Sequence, residues 1–571
     1  MSESPRSPSH FPGGIPQGAQ GADLAFYTIA DRYLDDSMRA YPTGSTMAGY
    51  HEYDGLLEDL GAAAILEKID MARRFQAELA PIDPRSLTTS ARIDHRLVTN
   101  DVDATLLSLS ELPPHERDPQ SYVDLLGNST LYLTLLDPGS PAWSDRLASL
   151  LSRMQQVPRF LSDARANLKN PPRVMTDMVI HTNAGSIAFF ERTAPTLFGR
   201  APALAPRLER ENARVLEALR DYQRWLEEDL LPDSRGDWRL GKDLWTRKLR
   251  LTLQSLLTPE EILRRAQEQL EADRRRMLEI ALPLHRSLHP GHRHTESGDD
   301  LINAVVREVL DDVTKRHSTR DTLFRDTQRA IARIKTFIRE RDLIQLPPDD
   351  DNFVVEPTPG FMDGGVPRAG SPEEDRVLEE SFLREYNDYA LQGLTIHEAF
   401  PGHYVQYWHA LHSPIATVYK KIFSSGTFAE GWAVLAEKMM FENGYAEAEP
   451  ENLLIHLKQS LRVPLNAILD ARLHTTAMTD EEADRFGLDL LQRLGFQEEA
   501  EARGKLRRAK LSSTQLSTYF VGYLELSDIV REARRRAGGR FNLRAFHERL
   551  LSFGTIPPRD VRELLAGGTN P

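Results

Sequence analysis

The sequence predicts a mostly α-helical protein. From Ala22 onward, apolar residues recur at helical spacing along most of the 571-residue chain. The breaks between these runs are rich in Pro and Gly, and no fixed-period repeat of a solenoid or propeller is present.

The first 21 residues, MSESPRSPSHFPGGIPQGAQG, are rich in Ser, Pro and Gly and lack an apolar stretch. They are expected to form a disordered tail rather than a signal peptide. Amphipathic runs then predict helices over 23–41, 89–109, 207–231, 257–288 and 325–344. In the fourth, Thr258 is placed to cap the helix, Pro259 to open it and Glu260 and Glu261 to face its positive end.

Residues 346–375 break the pattern with many Pro, Gly and Asp and hold a short β-like core at 352–356. A long loop carrying a short β-element is expected there, just before the helix with the main motif. Residues 22–571 read as one helical domain, its two halves dividing near 346–380.

The formal net charge of −14 speaks against a nucleic-acid or anionic-membrane surface, because such binding draws on excess Lys and Arg. The basic run near residue 535 reads as a solvated helix end. With no cysteine in the chain, any metal site must be built from His and carboxylates. No apolar run approaches membrane-spanning length, so a cytoplasmic protein is expected.

The motif is TIHEAFPGHYVQ, Thr395 to Gln406. A helical zinc site usually reads H-E-x-x-H, yet Pro401 stands four places after His397 and the next histidine is His403. In one straight helix these two histidines would be turned apart by roughly 600°, far from a common face. Pro401 and Gly402 offer a break that can swing His403 back.

A third ligand is sought in FAEGWAVLAEKMM, 428–440, where Glu430 and Glu437 lie about two turns apart and can share a face. Glu430 sits in apolar text and needs a partner. Glu437 is either an alternative ligand or a carboxylate orienting an imidazole. His409 and His412 read as ordinary helix histidines.

Taken together, HEAFPGHYVQ, AEGWAVLAE, ILDARLHTTAMTDEEA and STYFVG resemble the bacterial family filed as domain of unknown function eight hundred and eighty-five. The match continues in TPEEI, LPPDDDNFVVEPTP and FHERLLSFGTIP. Tyr404 stands where many relatives carry another His.

That resemblance implies a zinc-peptidase-like protein with an H-E-x-x-P-G-H core and a helical, deep-clefted fold similar to the zinc carboxypeptidases and oligopeptidases. It implies His397, His403 and Glu430 as zinc ligands and Glu398 as the base that activates water. His474 and Tyr519 become candidates to stabilise the oxyanion, with Tyr523 the alternative phenol. Asp470 and Arg472 either orient that neighbourhood or form a structural pair.

The expected function is a zinc metallopeptidase acting on short peptides. The alternatives are a metal-dependent amidase of a small metabolite and a non-catalytic helical protein that binds metal or peptide.

Overall fold

In the computed structural model, the described residues are 14–135, 139–319, 321–348, 353, 355 and 383–566. Most of them are helical. No strand occurs among them, and an isolated antiparallel bridge joins His317 to Asn387.

Of the β-element expected at 352–356, only Phe353 and Val355 are described, and neither is in a strand. The rest of it, and residues 1–13 of the expected tail, lie outside the described residues.

The chain forms two compact units. The first runs to Trp238 and also takes in Thr417–Ile422; the second begins at Arg239 and holds nearly all the rest. The main change of unit thus falls at 238–239, upstream of the 346–380 division read from the sequence.

The first unit contains α1 (Gly21–Ala40), α2 (Thr89–Ser110), α3 (Gln120–Thr134), α4 (Trp143–Asn167), α5 (Arg173–Ala188) and α6 (Ala205–Trp225). Tyr122, Leu147, Phe160, Val179 and Leu219 are among the side chains of α3 to α6 that meet in its core. Each such large apolar side chain contributes about 1.5–3 kcal/mol on burial.

Asp94 on α2 is fully buried, and it survives there because Lys420 Nζ reaches it at 2.6 Å and Tyr27 donates to it at 2.8 Å. A buried charge without such partners would be costly.

The second unit contains α7 (Lys242–Leu253), α8 (Pro259–Leu288), α9 (Gly298–Val313), α10 (Leu323–Glu340), α11 (Asp388–Glu398), α12 (His403–Leu411), α13 (Gly426–Glu442), α14 (Pro450–Ser460), α15 (Arg462–Thr475), α16 (Glu499–Leu511) and α17 (Ser517–Ala537). The start of α8 is the one expected: Thr258 and Glu261 bond each other's backbone in a capping box, with Pro259 as the first helical residue.

Helices α13 and α17 cross with their backbones in contact. A Cβ on Gly431 would lie 2.4 Å from the carbonyl carbon of Gly522, and one on Gly522 would lie 1.9 Å from the carbonyl oxygen of Thr427. Only glycine permits this approach. The crossing places Glu430, next to Gly431, close to the helix that carries Tyr519.

Asp470 of α15 fixes the start of α17. Its carboxylate accepts from Thr514 N at 2.8 Å, Ser517 Oγ at 2.6 Å and Trp245 Nε1 at 3.2 Å. Of the two readings for Asp470, the structure therefore supports orientation through neutral donors. Arg472 is exposed.

Candidate metal centre

Helix α11 starts cleanly because Asn387 caps it, its side chain accepting from Tyr389 N and Ala390 N. The helix ends at Glu398, with His397 in its last turn. The chain then doubles back over its own end: a Cβ at Gly402 would lie 1.8 Å from the His397 carbonyl oxygen and 2.3 Å from that of Ile396.

A new helix begins at His403. The late histidine is thus the first residue of α12 and not a continuation of α11. Trp432, buried on α13, holds the turn by donating from Nε1 to Pro401 O at 3.0 Å.

The crossing α13 supplies both glutamates of the apolar run, and their roles differ. Glu430 Oε2 lies 3.5 Å from His397 Nε2 and 3.5 Å from His403 Nε2. The two imidazole rings stand nearly perpendicular, 5.0 Å apart. Glu437 meets the other face of the site: His397 Nδ1 donates to its Oε1 at 2.7 Å. A carboxylate acceptor there leaves Nε2 as the free lone pair of His397.

His397, His403 and Glu430 each offer one ligand atom, all within 4.8 Å of one another. Glu430 Oε2 is buried without a hydrogen-bond partner. Unsatisfied buried acceptors are rare and costly, and two imidazoles with one carboxylate are a suitable donor set for a divalent transition ion. The residues present therefore fit a metal.

The electrostatics describe the same cluster in protonated form. Burial disfavours charge on His397, but the neighbouring Glu430 and Glu437 carboxylates outweigh this and push its pKa up to about 10. Burial likewise opposes the Glu430 carboxylate, yet His397 and His403 hold it down to about 2. An arriving cation has to displace a proton that this arrangement retains.

A cavity of about 150 Å³ adjoins the cluster, lined in part by His397, Glu398, Glu437, Arg462, Lys505 and Tyr519. Tyr519 lies with its ring 6.4 Å from that of His397, and its oxygen accepts from Arg508 at 3.2 Å. Burial, followed by the nearby Glu430 charge, raises its pKa, so the phenol stays protonated at neutral pH. Lys505 is pushed down to about 7 by burial, with Arg462 and Arg508 adding repulsion.

The structure does not bring every candidate to this place. His474 is buried, bonds the Ala509 carbonyl through Nε2 at 2.9 Å and is not among the cavity-lining residues. Its position corrects the oxyanion expectation: the imidazole ties α15 to α16. Tyr523 pairs with Lys438 and lines a different cavity: it shares a face of α17 with Tyr519 but stands a turn, about 6 Å, further along the axis.

His409 bonds the Gln345 carbonyl and His412 that of Trp408, so neither joins the cluster. Tyr404 packs with Phe353 and Phe400, at ring distances of 4.7 and 5.3 Å.

Sequence reasoning missed Lys505 and Arg508, whose α16 reads as an ordinary charged helix. It also missed Trp432 as the brace of the turn. The signal was present only for Trp432, a large aromatic with a polar handle next to the Glu430 position.

The fold is shared with two solved structures. One, described as a candidate lipoprotein of unknown function from Shewanella oneidensis, is 28% identical with a TM-score of 0.73, over 95% of this chain and 99% of that one. The other, described as a candidate lipoprotein from Colwellia psychrerythraea, is 17% identical with a TM-score of 0.74, over 95% of this chain and all of that one. No curated protein matches the chain. Residues 42–565 match a family described as bacterial protein of unknown function, and the chain therefore belongs to that family, DUF885.

Proposed function

We propose that the chain is a metal-dependent hydrolase, with zinc as the expected ion, acting as a peptidase on short peptides. One observation carries this reading: two imidazole Nε2 atoms and a buried carboxylate oxygen converge beside a cavity that also presents Glu398 and Tyr519. A divalent ion held by three protein ligands keeps an open position and supplies a Lewis acid with an acidified water.

The chain's own groups would do the rest. Glu398 follows His397 directly, and its carboxylate serves as the base that takes a proton and returns it to the leaving amine. Tyr519 donates its O–H to the developing oxyanion, and Arg508 at the phenol oxygen makes it a better donor. Glu437 holds the His397 ring in one orientation. A metal site that serves only structure has no use for such a base, which weighs against the non-catalytic alternative.

The small volume of the cavity favours a second reading, a metal-dependent amidase of a small metabolite. Metal analysis followed by a peptide-library digest read by mass spectrometry separates the two. Peptide cleavage that disappears in Glu398→Gln supports the peptidase. Cleavage confined to one terminus would assign it as an exopeptidase, and a metal-loaded protein that cleaves no peptide overturns it.

For location we keep the cytoplasm as the proposal. No helix among the described residues is long and apolar enough to cross a membrane. Cell fractionation tests it. The expected partner is the peptide substrate, with no nucleic acid.

A further inference from the structure

We propose a second metal site, formed by His285, His292, His294 and Glu308, that takes a divalent first-row transition ion and staples α8 to α9. The four residues offer ligand atoms that all lie within 4.8 Å of one another. They come from three consecutive pieces of chain, so the local fold alone assembles them.

His285 sits in the last turn of α8 and is only 3% exposed. Pro290 follows the helix end, and Gly291, at φ +93°, turns the chain in a way that favours glycine. His292 and His294 are thereby carried back over His285. Helix α9 then returns alongside α8 and presents Glu308 to the same point.

The tripeptide Pro-Gly-His occurs here, at 290–292, as it does at 401–403. In both places the Pro-Gly pair ends a helix and delivers a histidine to one that precedes it.

The distances match a closed tetrahedral site. Glu308 Oε2 lies 2.8 Å from His285 Nε2, 3.1 Å from His292 Nδ1 and 3.7 Å from His294 Nε2, and the two Nε2 atoms of His285 and His294 are 3.2 Å apart. Ligands about 2.0–2.1 Å from a central ion at tetrahedral corners are roughly 3.3 Å from each other.

Two imidazole nitrogens facing each other at 3.2 Å satisfy only one lone pair between them, whereas a cation between them satisfies both. Glu296, 3.5 Å from His294 Nδ1, stands where it can orient that ring, as Glu437 does for His397. His289 is engaged with Asp312 at 2.8 Å and falls outside the set.

Three imidazoles and one carboxylate favour zinc, nickel or copper over magnesium or calcium. Four protein ligands leave no open position, which marks a structural ion and not a second reaction centre. The ion would close the connection 289–297 and hold two long helices in register.

The test uses the full chain carrying His403→Ala, which disables the first centre, stripped with chelator and titrated with zinc alone. One equivalent should bind and raise the melting temperature by several degrees. Cobalt in the same protein should give the intense visible bands of a four-coordinate site.

Adding His292→Ala and His294→Ala should abolish the binding, the shift and the bands. Should that triple variant fail to fold, His292→Ala alone, at a side chain 48% exposed, serves instead and should weaken zinc binding at least tenfold. The proposal is overturned if His403→Ala binds no zinc, or if removing these histidines leaves its zinc binding unchanged.

Discussion

The Nδ1 of His397 lies 2.7 Å from Oε1 of Glu437, and this one contact divides the labour of two glutamates on the same helix face. Glu430 is left to face the two Nε2 atoms. If Glu437 orients the imidazole, Glu437→Gln should weaken metal affinity by about 10–100-fold without unfolding the protein. Isothermal titration with zinc measures this, and unchanged affinity would return Glu437 to a purely structural role.

Ligand and base should separate on mutation. Glu398→Gln should retain metal and lose at least about a hundredfold in turnover, since an amide cannot accept a proton. His403→Ala should lose metal at the first centre. Metal content and kcat measured on both variants decide whether the two residues differ in role as proposed.

Tyr519→Phe should lower kcat by roughly a hundredfold with metal content unchanged. Tyr523→Phe, whose hydroxyl meets Lys438 at a different cavity, should leave turnover within a factor of about two. Equal effects from the two phenols would remove Tyr519 from the site.

The doubled-back turn depends on Gly402. Gly402→Ala sets a carbon 1.8 Å from the His397 carbonyl oxygen, and the expected outcome is a loss of roughly 2–4 kcal/mol of stability together with metal binding at the first centre. Gly504→Ala, where the added carbon meets nothing within 4 Å inside α16, should be neutral or slightly stabilising. Denaturant unfolding compares the pair.

Lys505 makes stability depend on pH. Burial lowers its folded pKa to about 7 against 10.5 unfolded, so between those values the unfolded chain holds the proton and the folded chain does not. Stability from this residue therefore rises with pH from about 7 to 10.5 and is withheld below 7. Lys505→Met should remove that rise and stabilise the protein most at low pH. Parallel pH profiles for the two proteins would count against the assignment.

Short-range chemistry was legible in the sequence. The cap of α8 could be read because Thr258, Pro259 and Glu261 interact within a single turn. The helical class followed from apolar spacing, and the ligand candidates from residue types that have few other uses in apolar text. Spacing could also say that Glu430 and Glu437 share a face, because two turns of helix return to the same side.

Tertiary structure decided what that face meets. Gly431 and Gly522 bring two backbones into contact, and this crossing gives Glu430 to the histidines, Glu437 to the back of His397 and Tyr519 to the cavity. His474 was indistinguishable from Tyr519 as a candidate until the packing of α15 on α16 buried its ring against the Ala509 carbonyl. The histidines after α8 gained meaning only when α9 folded back with Glu308. Helical periodicity determines directions about one axis, whereas a metal centre is a point where several axes converge, and their relative placement is set by packing between segments distant in sequence.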